Sequence, residues 1–305
     1  MLYFSVIIPC YNGEKTIERA MQSVIDQTYK NYELVIVDNG STDKTEETVK
    51  AFIDKNPQAD IKLFSQENRG ISGSRNRGIK ESTYEYISLL DADDLWYKNK
   101  LEVVSGYIEK YKNIDIFSHN EMIVTSSSKR MTNPRDLKEP FFTNLLLEGN
   151  CLSPSAVTVK KEALLKIGCF DMNCTGGQED YDCWLRLAKS GAKFKIIPEV
   201  LGEFIITGEN ISCNYEEHGK VVLEMVMSYF KKACDEKIIP DNLAPFYEKL
   251  LCSRHLYSIG RSHSSAGRGK DARQMFIKAI KESPSFWKPY VAYILSFGSK
   301  KNAKN

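Results

Sequence analysis

Asp91-Ala92-Asp93-Asp94 follows directly on an apolar run, Tyr86 to Leu90. Carboxylates at the end of a buried strand can hold a hard divalent cation through oxygen, and that cation can clamp a diphosphate. The competing reading is an Asp-rich turn capping a helix that starts near Trp96. A second turn, Asp38-Asn39-Gly40-Ser41-Thr42-Asp43, supplies acceptors and a glycine where a base could be read edge-on. Asp38 and Asn39 are the base-reading candidates, while Asp43 with Glu46 has capping-box spacing. Gly70 to Gly78 combines small residues, which let backbone approach a ligand, with Arg75 and Arg77, which could stack on or bond to a nucleotide. Arg77 reads better as a solvated surface charge. Gly176-Gly177-Gln178-Glu179-Asp180-Tyr181-Asp182 sets a flexible turn before a helix whose core face is Trp184, Leu187 and Ala188. A carboxylate there can take a proton from an attacking hydroxyl, or Glu179 and Asp180 can simply complement the helix dipole.

Alternating elements position these clusters. Phe4 to Ile8 reads as a strand broken by Pro9-Cys10-Tyr11-Asn12-Gly13, and Ile17, Met21, Val24, Ile25 and Thr28 recur at helical spacing. Glu33 to Val37 is a second strand, and Val49, Phe52 and Ile53 mark the next helix. Ile61 to Ser65, a helix through Ile79 and Tyr86 to Leu90 continue an alternation that builds a parallel sheet. Ligands of such sheets sit beyond the carboxyl ends of the strands, so the clusters at 9–13, 38–43 and 91–94 should converge on one crevice. Short strands at Ile114 to Phe117, Ala156 to Val159 and Phe194 to Ile197, with a helix from Asp180 to Ser190, suggest a less regular acceptor half. Residues 126–150 read as a mobile loop. Beyond 216 three amphipathic helices follow, around Val222 to Ala233, Phe246 to Leu251 and Ala272 to Ile280.

The chain has 305 residues, enough for one large α/β domain and a smaller appendage. Its net charge of +2 gives no general argument for nucleic acid. The N-terminus lacks a basic region and a cleavage site, and no apolar run reaches the ~18 residues of a membrane-spanning helix. The eight cysteines lack CxxC spacing and read as reduced core filler, which favours the cytoplasm.

The Pro9-x-Tyr11-Asn12 turn, the Val37-Asp38-Asn39-Gly40-Ser41-Thr42-Asp43 turn, and Leu90 to Asp94 followed by Gly176 to Arg186 together resemble the family 2 glycosyltransferases. The likeness covers roughly residues 3–215. It implies the GT-A fold, an α/β, Rossmann-like, mainly parallel central sheet flanked by helices. A catalytic domain at 1–215 would then be followed by an α-helical extension at 216–305. It also implies that Pro9, Tyr11, Asp38, Asn39 and Arg75 line the base pocket. Asn12 and Ala92 belong to the same nucleotide-sugar site, Asp91 reaches the ribose, Asp93 ligates Mn²⁺ or Mg²⁺, and Asp180 is the base. The activity implied is inverting transfer from a nucleoside-diphosphate sugar, a UDP-sugar in this reading, to an acceptor hydroxyl of a cell-surface polysaccharide or lipopolysaccharide. Two positions depart from the pattern: Asn39 stands where many members have a second aspartate, and Thr207 where many have histidine.

A nucleotidyltransferase should show a basic triphosphate loop, and no GxxxxGK run is present. An inactive scaffold on the same fold is the rival from another class, and the intact Asp91, Asp93 and Asp180 argue against it. In the extension, Ile259, Gly260, Gly267, Ala272, Phe276, Ala279 and Pro284 fall on the spacing of one tetratricopeptide repeat, a helix pair that cannot build a solenoid alone. Phe286 to Phe297, followed by Lys300, Lys301 and Lys304, suits either the interface of an anionic membrane or a last helix closing that pair.

Overall fold

A computed structural model describes residues 1–126, 128–132, 137–206 and 215–297. Strand β1 (Phe4–Cys10) is buried at every position, as a strand covered on both faces must be. It pairs in parallel with β2 (Tyr32–Asp38) on one side, which in turn pairs with β3 (Ile61–Ser65). On its other side lies β4 (Tyr86–Leu89), also parallel. Helices α1 (Ile17–Ile25), α2 (Thr45–Lys55) and α3 (Gly70–Glu81) make the crossovers. Helix α1 buries Ile17, Ala20, Met21 and Val24 on the sheet, a stripe at the helical period.

Beyond β4 the sheet becomes mixed. Strand β5 (Leu95–Trp96) and α4 (Lys100–Lys110) are followed by β6 (Ile116–Val124), β7 (Lys129–Met131) and α5 (Phe141–Glu148). A 3₁₀ turn (Pro154–Ala156) leads into β8 (Val157–Lys160), α6 (Lys161–Lys166), α7 (Glu179–Lys189) and β9 (Phe194–Ile205). The strand order is β3-β2-β1-β4-β8-β6-β9-β5, with β7 on β6. Strand β8 runs antiparallel to both β4 and β6, whereas β6 and β9 are parallel.

Three expectations change. The segment expected as a mobile loop at 126–150 holds β7 and α5, whose Phe142, Leu145 and Leu146 are buried; residues 127 and 133–136 lie outside the described residues. Strands β6 and β9 run well past the expected Phe117 and Ile197. The helix expected near Trp96 begins at Lys100, because Leu95 and Trp96 pair with β9 instead.

The chain divides into two compact units, residues 1–145, 149–175 and 179–210, and residues 146–148, 176–178 and 211–305. The second contains four helices among the described residues, α8 (Tyr215–Asp235), α9 (Ala244–Ser265), α10 (Gly269–Glu282) and α11 (Lys288–Leu295). Helices α9 and α10 approach closely at Gly260, where an added Cβ would stand 2.5 Å from the Phe276 ring. Ala272, Phe276 and Ala279 are buried in that seam, and the Ser253 hydroxyl donates to the Ala279 carbonyl at 2.7 Å. Among the described residues no helix is long and apolar enough to cross a membrane.

Candidate functional site

The turns after β1 and β2 are stitched to each other. Asn12 takes a left-handed backbone (φ 52), which asparagine tolerates. Its side-chain oxygen accepts from the Thr42 N–H at 2.8 Å, and its own N–H donates to the Ser41 hydroxyl at 2.9 Å. The Gly13 N–H donates to the Thr45 hydroxyl at 2.8 Å and the Glu14 N–H to Asp43 at 3.1 Å. Asp43 therefore clasps the first turn as well as accepting from the Thr45 N–H at the start of α2. Pro9 is buried in β1 opposite Val37, while Tyr11 leaves 52% of its surface open.

Asp38, at the carboxyl end of β2, is buried and accepts from the Ser41 N–H and hydroxyl through one oxygen. Asn39 is buried with every amide atom committed. Its oxygen accepts from Gln66 (2.8 Å) and the Arg69 N–H (3.0 Å), and its nitrogen donates to Asn68 (3.0 Å) and the Gly70 carbonyl (3.2 Å). Asn39 thus holds the 66–70 loop, and any contact of its own to a base displaces one of these bonds. Gly40 sits at φ +76 with the Asn68 N–H 3.0 Å from where a Cβ would be, so the turn requires glycine.

At the end of β4, Ser155 organises the acidic turn. Its hydroxyl accepts from the Asp91 N–H at 3.0 Å and donates to Asp94 at 2.6 Å. Its carbonyl accepts from the Trp96 indole at 2.8 Å and from Lys100 at 3.2 Å. The other Asp94 oxygen accepts from the Ile205 N–H at 2.9 Å, so Asp94 is a buried structural clasp. Helix α4 starts at Lys100 behind Asn99, which removes Asp91–Asp94 from its cap. Asp93 remains partly open to solvent. Burial, and then the Asp91 charge, hold its carboxyl up to about 6. Arg19 donates to the Asp93 carbonyl at 2.9 Å, and Ala92 lies 3.9 Å from a Cβ placed on Gly13, so the 9–13 and 91–94 turns adjoin.

Arg75 is held by two carboxylates that its place in the sequence does not show. It is 2% exposed, with one terminal nitrogen on Asp91 at 2.8 Å and the other on Glu179 at 2.7 Å, over the Phe170 ring. Burial alone would weaken its hold on the proton, but the Asp91 and Glu179 charges outweigh burial and keep it firmly charged. Arg75 therefore ties the end of β4 to the start of α7. The same ion pair separates the two carboxylates of the Glu-Asp pair. Asp180 instead accepts from the Asn150 amide (3.1 Å) and the Tyr181 N–H (2.6 Å), and its carboxyl is held up to about 7 by burial and then by the Glu179 charge.

Asn150 and Ser155 escaped sequence reasoning, since nothing in their spacing relates them to residues 30 to 64 positions away. Lys100 was legible in principle as the residue four after Trp96, whose ring its Nζ covers at 3.2 Å from the centroid, and burial pushes its proton affinity well down. Arg77 pairs with Glu81 at 3.1 Å on the surface, as expected. Thr207 lies outside the described residues. Asp171, Cys174 and Asp182 place possible metal-ligand atoms within 4.8 Å of one another, but Arg186 already neutralises Asp182 at 2.7 Å.

The model of "Glycosyl transferase family 2" matches residues 5–167, which include every expected site residue except Asp180. The Escherichia coli UDP-Glc:alpha-D-GlcNAc-diphosphoundecaprenol beta-1,3-glucosyltransferase WfgD is 34% identical over 200 residues, 61% of this chain and 69% of that protein. The chain spans 16% to 58% of the length of four rickettsial glycosyltransferases that it also matches. Among solved structures, S. aureus TarS 1-349 has a TM-score of 0.65 at 17% identity, over 97% of this chain and 89% of that one. The mannosyltransferase PcManGT from Pyrobaculum calidifontis, in complex with GDP-Man and Mn²⁺, gives 0.62 at 19%, over 98% and 88%. The fold shared with them is GT-A, with helices following the sheet domain. The chain belongs to glycosyl transferase family 2.

Proposed function

We propose that the chain transfers a sugar, with inversion, from a nucleoside-diphosphate sugar to an acceptor hydroxyl in the synthesis of a bacterial cell-surface glycan. The donor in this reading is a UDP-sugar, as the name of the E. coli relative states for that protein. The observation that carries the proposal is the division of labour at the start of α7. Arg75 engages Glu179 and Asp91, and the adjacent Asp180 is held up to about 7, where a general base works near neutral pH. Asp180 takes the acceptor's hydroxyl proton as the oxygen bonds to the anomeric carbon and the bond from that carbon to the diphosphate breaks. Attack opposite the leaving group inverts the anomeric centre.

Pro9, Tyr11, Asn12, Asp38, Asn39, Arg75, Asp91 and Ala92 form the nucleotide-sugar site in this proposal. Tyr11 offers a ring face and Asp38 an acceptor, while Asn12, Asn39 and Arg75 hold the surrounding turns. The acidic turn fits a hard cation: Asp91, Asp93 and Asp94 crowd into four residues, and burial, added to by the neighbouring carboxylate charges, raises Asp93 and Asp94, a cost that a bound divalent ion would offset. In this reading Asp93 is the oxygen donor for Mn²⁺ or Mg²⁺, beside the Asp94 clasp. Such an ion offsets the charge that develops on the departing diphosphate. The catalytic segment in this reading ends near 215, and 216–305 is a helical extension with one tetratricopeptide-like pair, α9 and α10. The reaction takes place in the cytoplasm. The test is a panel of UDP- and GDP-sugars with added Mn²⁺, scored by nucleoside-diphosphate release: one donor should be turned over, and silence across the panel would favour an inactive scaffold.

A further inference from the structure

The last described helix presents an apolar face to solvent. Trp287, Val291, Ile294, Leu295 and Phe297 expose 64%, 44%, 69%, 67% and 57% of their surface, whereas Pro289 and Ser296, on the opposite side, are buried. At ~100° per residue the exposed apolar side chains cover an arc of roughly 160°, wider than the stripe a core-facing helix needs. The face is anchored from behind. Arg273 donates to the Ser296 carbonyl at 3.3 Å and covers the Phe297 ring at 4.8 Å, and the Tyr290 hydroxyl donates to the Pro284 carbonyl at 3.1 Å.

The sequence of this part of the chain is strongly basic. From residue 254 to 305 the sequence holds eleven lysines and arginines against two acids, Asp271 and Glu282. Residues 1–210 hold 26 basic and 31 acidic residues, so the basic excess belongs to the helical unit alone. No acidic residue follows Glu282, and Lys288 stands at the start of α11 itself. A basic stretch alone would suit many polyanions. The exposed Ile294, Leu295 and Val291 favour a partner that takes up aliphatic side chains at a negatively charged boundary.

We propose that α11 docks this chain on an anionic lipid bilayer, with Trp287, Val291, Ile294, Leu295 and Phe297 entering the headgroup–acyl boundary and the surrounding lysines and arginines facing the lipid charge. Each basic residue near such a surface multiplies binding roughly fivefold at low salt, and the gain fades within a Debye length as salt rises. The proposal goes beyond the transferase reading and stands or falls separately from it, because binding is read without turnover.

The test is co-sedimentation of the full chain with sucrose-loaded vesicles of phosphatidylcholine alone, or with 30% phosphatidylglycerol (about one anionic lipid in three). Wild type should pellet with the anionic vesicles at low salt, release as salt rises and stay in solution with neutral ones. Ile294→Glu with Leu295→Glu should lower binding by about tenfold or more, with an unchanged melting temperature because both side chains are already in water. A second variant, Lys288→Glu, should weaken binding about fivefold or more while leaving the apolar face intact. Equal pelleting of wild type and both variants, or none by wild type, overturns the proposal. So does an oligomer that the double variant breaks without any vesicle binding, which would make the face a self-interface, or retention of wild type by RNA with no partition to lipid.

Discussion

Replacing Glu179 with glutamine removes one charge from a place where three groups share it. Arg75 keeps Asp91 at 2.8 Å, and the new side chain retains an amide oxygen to accept from the second guanidinium nitrogen, now bonded to Glu179 at 2.7 Å. What is lost is the charge assistance of one bond, on the order of 1 kcal/mol, so the variant folds. The larger effect falls on Asp180. Burial continues to hold its carboxyl up, but the second cause, the Glu179 charge, is gone. Removal of a like charge next to a carboxyl lowers its midpoint by about one pH unit. The carboxylate is the active form of a base, so transfer rises with pH through about 7 in wild type and through a lower pH in the variant. On the acid limb a one-unit shift leaves the variant up to about tenfold more of its own plateau rate than wild type keeps. Stability carries the same sign. A carboxyl raised in the fold contributes stability below its ordinary 3.8 and loses it as pH rises towards about 7, and in the variant that loss is complete at lower pH. The assay is initial nucleoside-diphosphate release from pH 5 to 9 at saturating donor and acceptor. An acid limb that stays put or moves upward refutes the coupling, and a plateau that vanishes in Glu179→Gln while Asp180→Asn keeps its own assigns the base to Glu179.

Asp93→Ala should abolish Mn²⁺ stimulation and weaken donor binding, with turnover down on the order of 10²–10³-fold; calorimetry of donor and Mn²⁺ together checks it, and an unchanged Mn²⁺ dependence would remove Asp93 as the ligand. Gly260→Ala gains about 1 kcal/mol of helix propensity but drives a Cβ into the Phe276 ring, for a net loss of about 1–2 kcal/mol. Denaturant midpoints measure it, and a midpoint equal to wild type would mean that the α9–α10 seam relaxes without cost.

The first half of the sheet was legible because its strands are short apolar runs closed by Gly, Asn and Asp, and its crossover helices carry one stripe each. The second half hides its strands behind buried polar residues. Strand β6 continues through His119, Asn120 and Glu121, which hydropathy reads as an end. Tertiary contacts carry them instead: the Asn120 amide donates to the Pro198 carbonyl, and burial lowers the His119 and raises the Glu121 proton affinity. Strand β9 contains Pro198 and Glu199 and meets β6 with two register irregularities, so no alternation survives in its sequence.

The acidic turn was visible as a cluster, but the roles within it were not. Asp93 and Asp94 are neighbours of one type, and only the Ser155 hydroxyl and the Ile205 N–H mark Asp94 as the buried clasp. Glu179 and Asp180 read alike in the same way, and only the fold shows that the Arg75 ion pair falls on Glu179. That Arg75 meets Asp91 and Glu179 was not legible, because a sequence cannot say which carboxylates an arginine will meet in the fold.

Donor binding and sugar transfer measured side by side in Asp180→Asn bear most directly on Asp180 as the base. With the Arg75 ties to Asp91 and Glu179 untouched, the variant should bind the nucleotide sugar and Mn²⁺ with wild-type affinity by calorimetry, while transfer to acceptor falls by about 10²–10⁴-fold. Transfer within a few-fold of wild type, or a loss of donor affinity as large as the loss of rate, would contradict it.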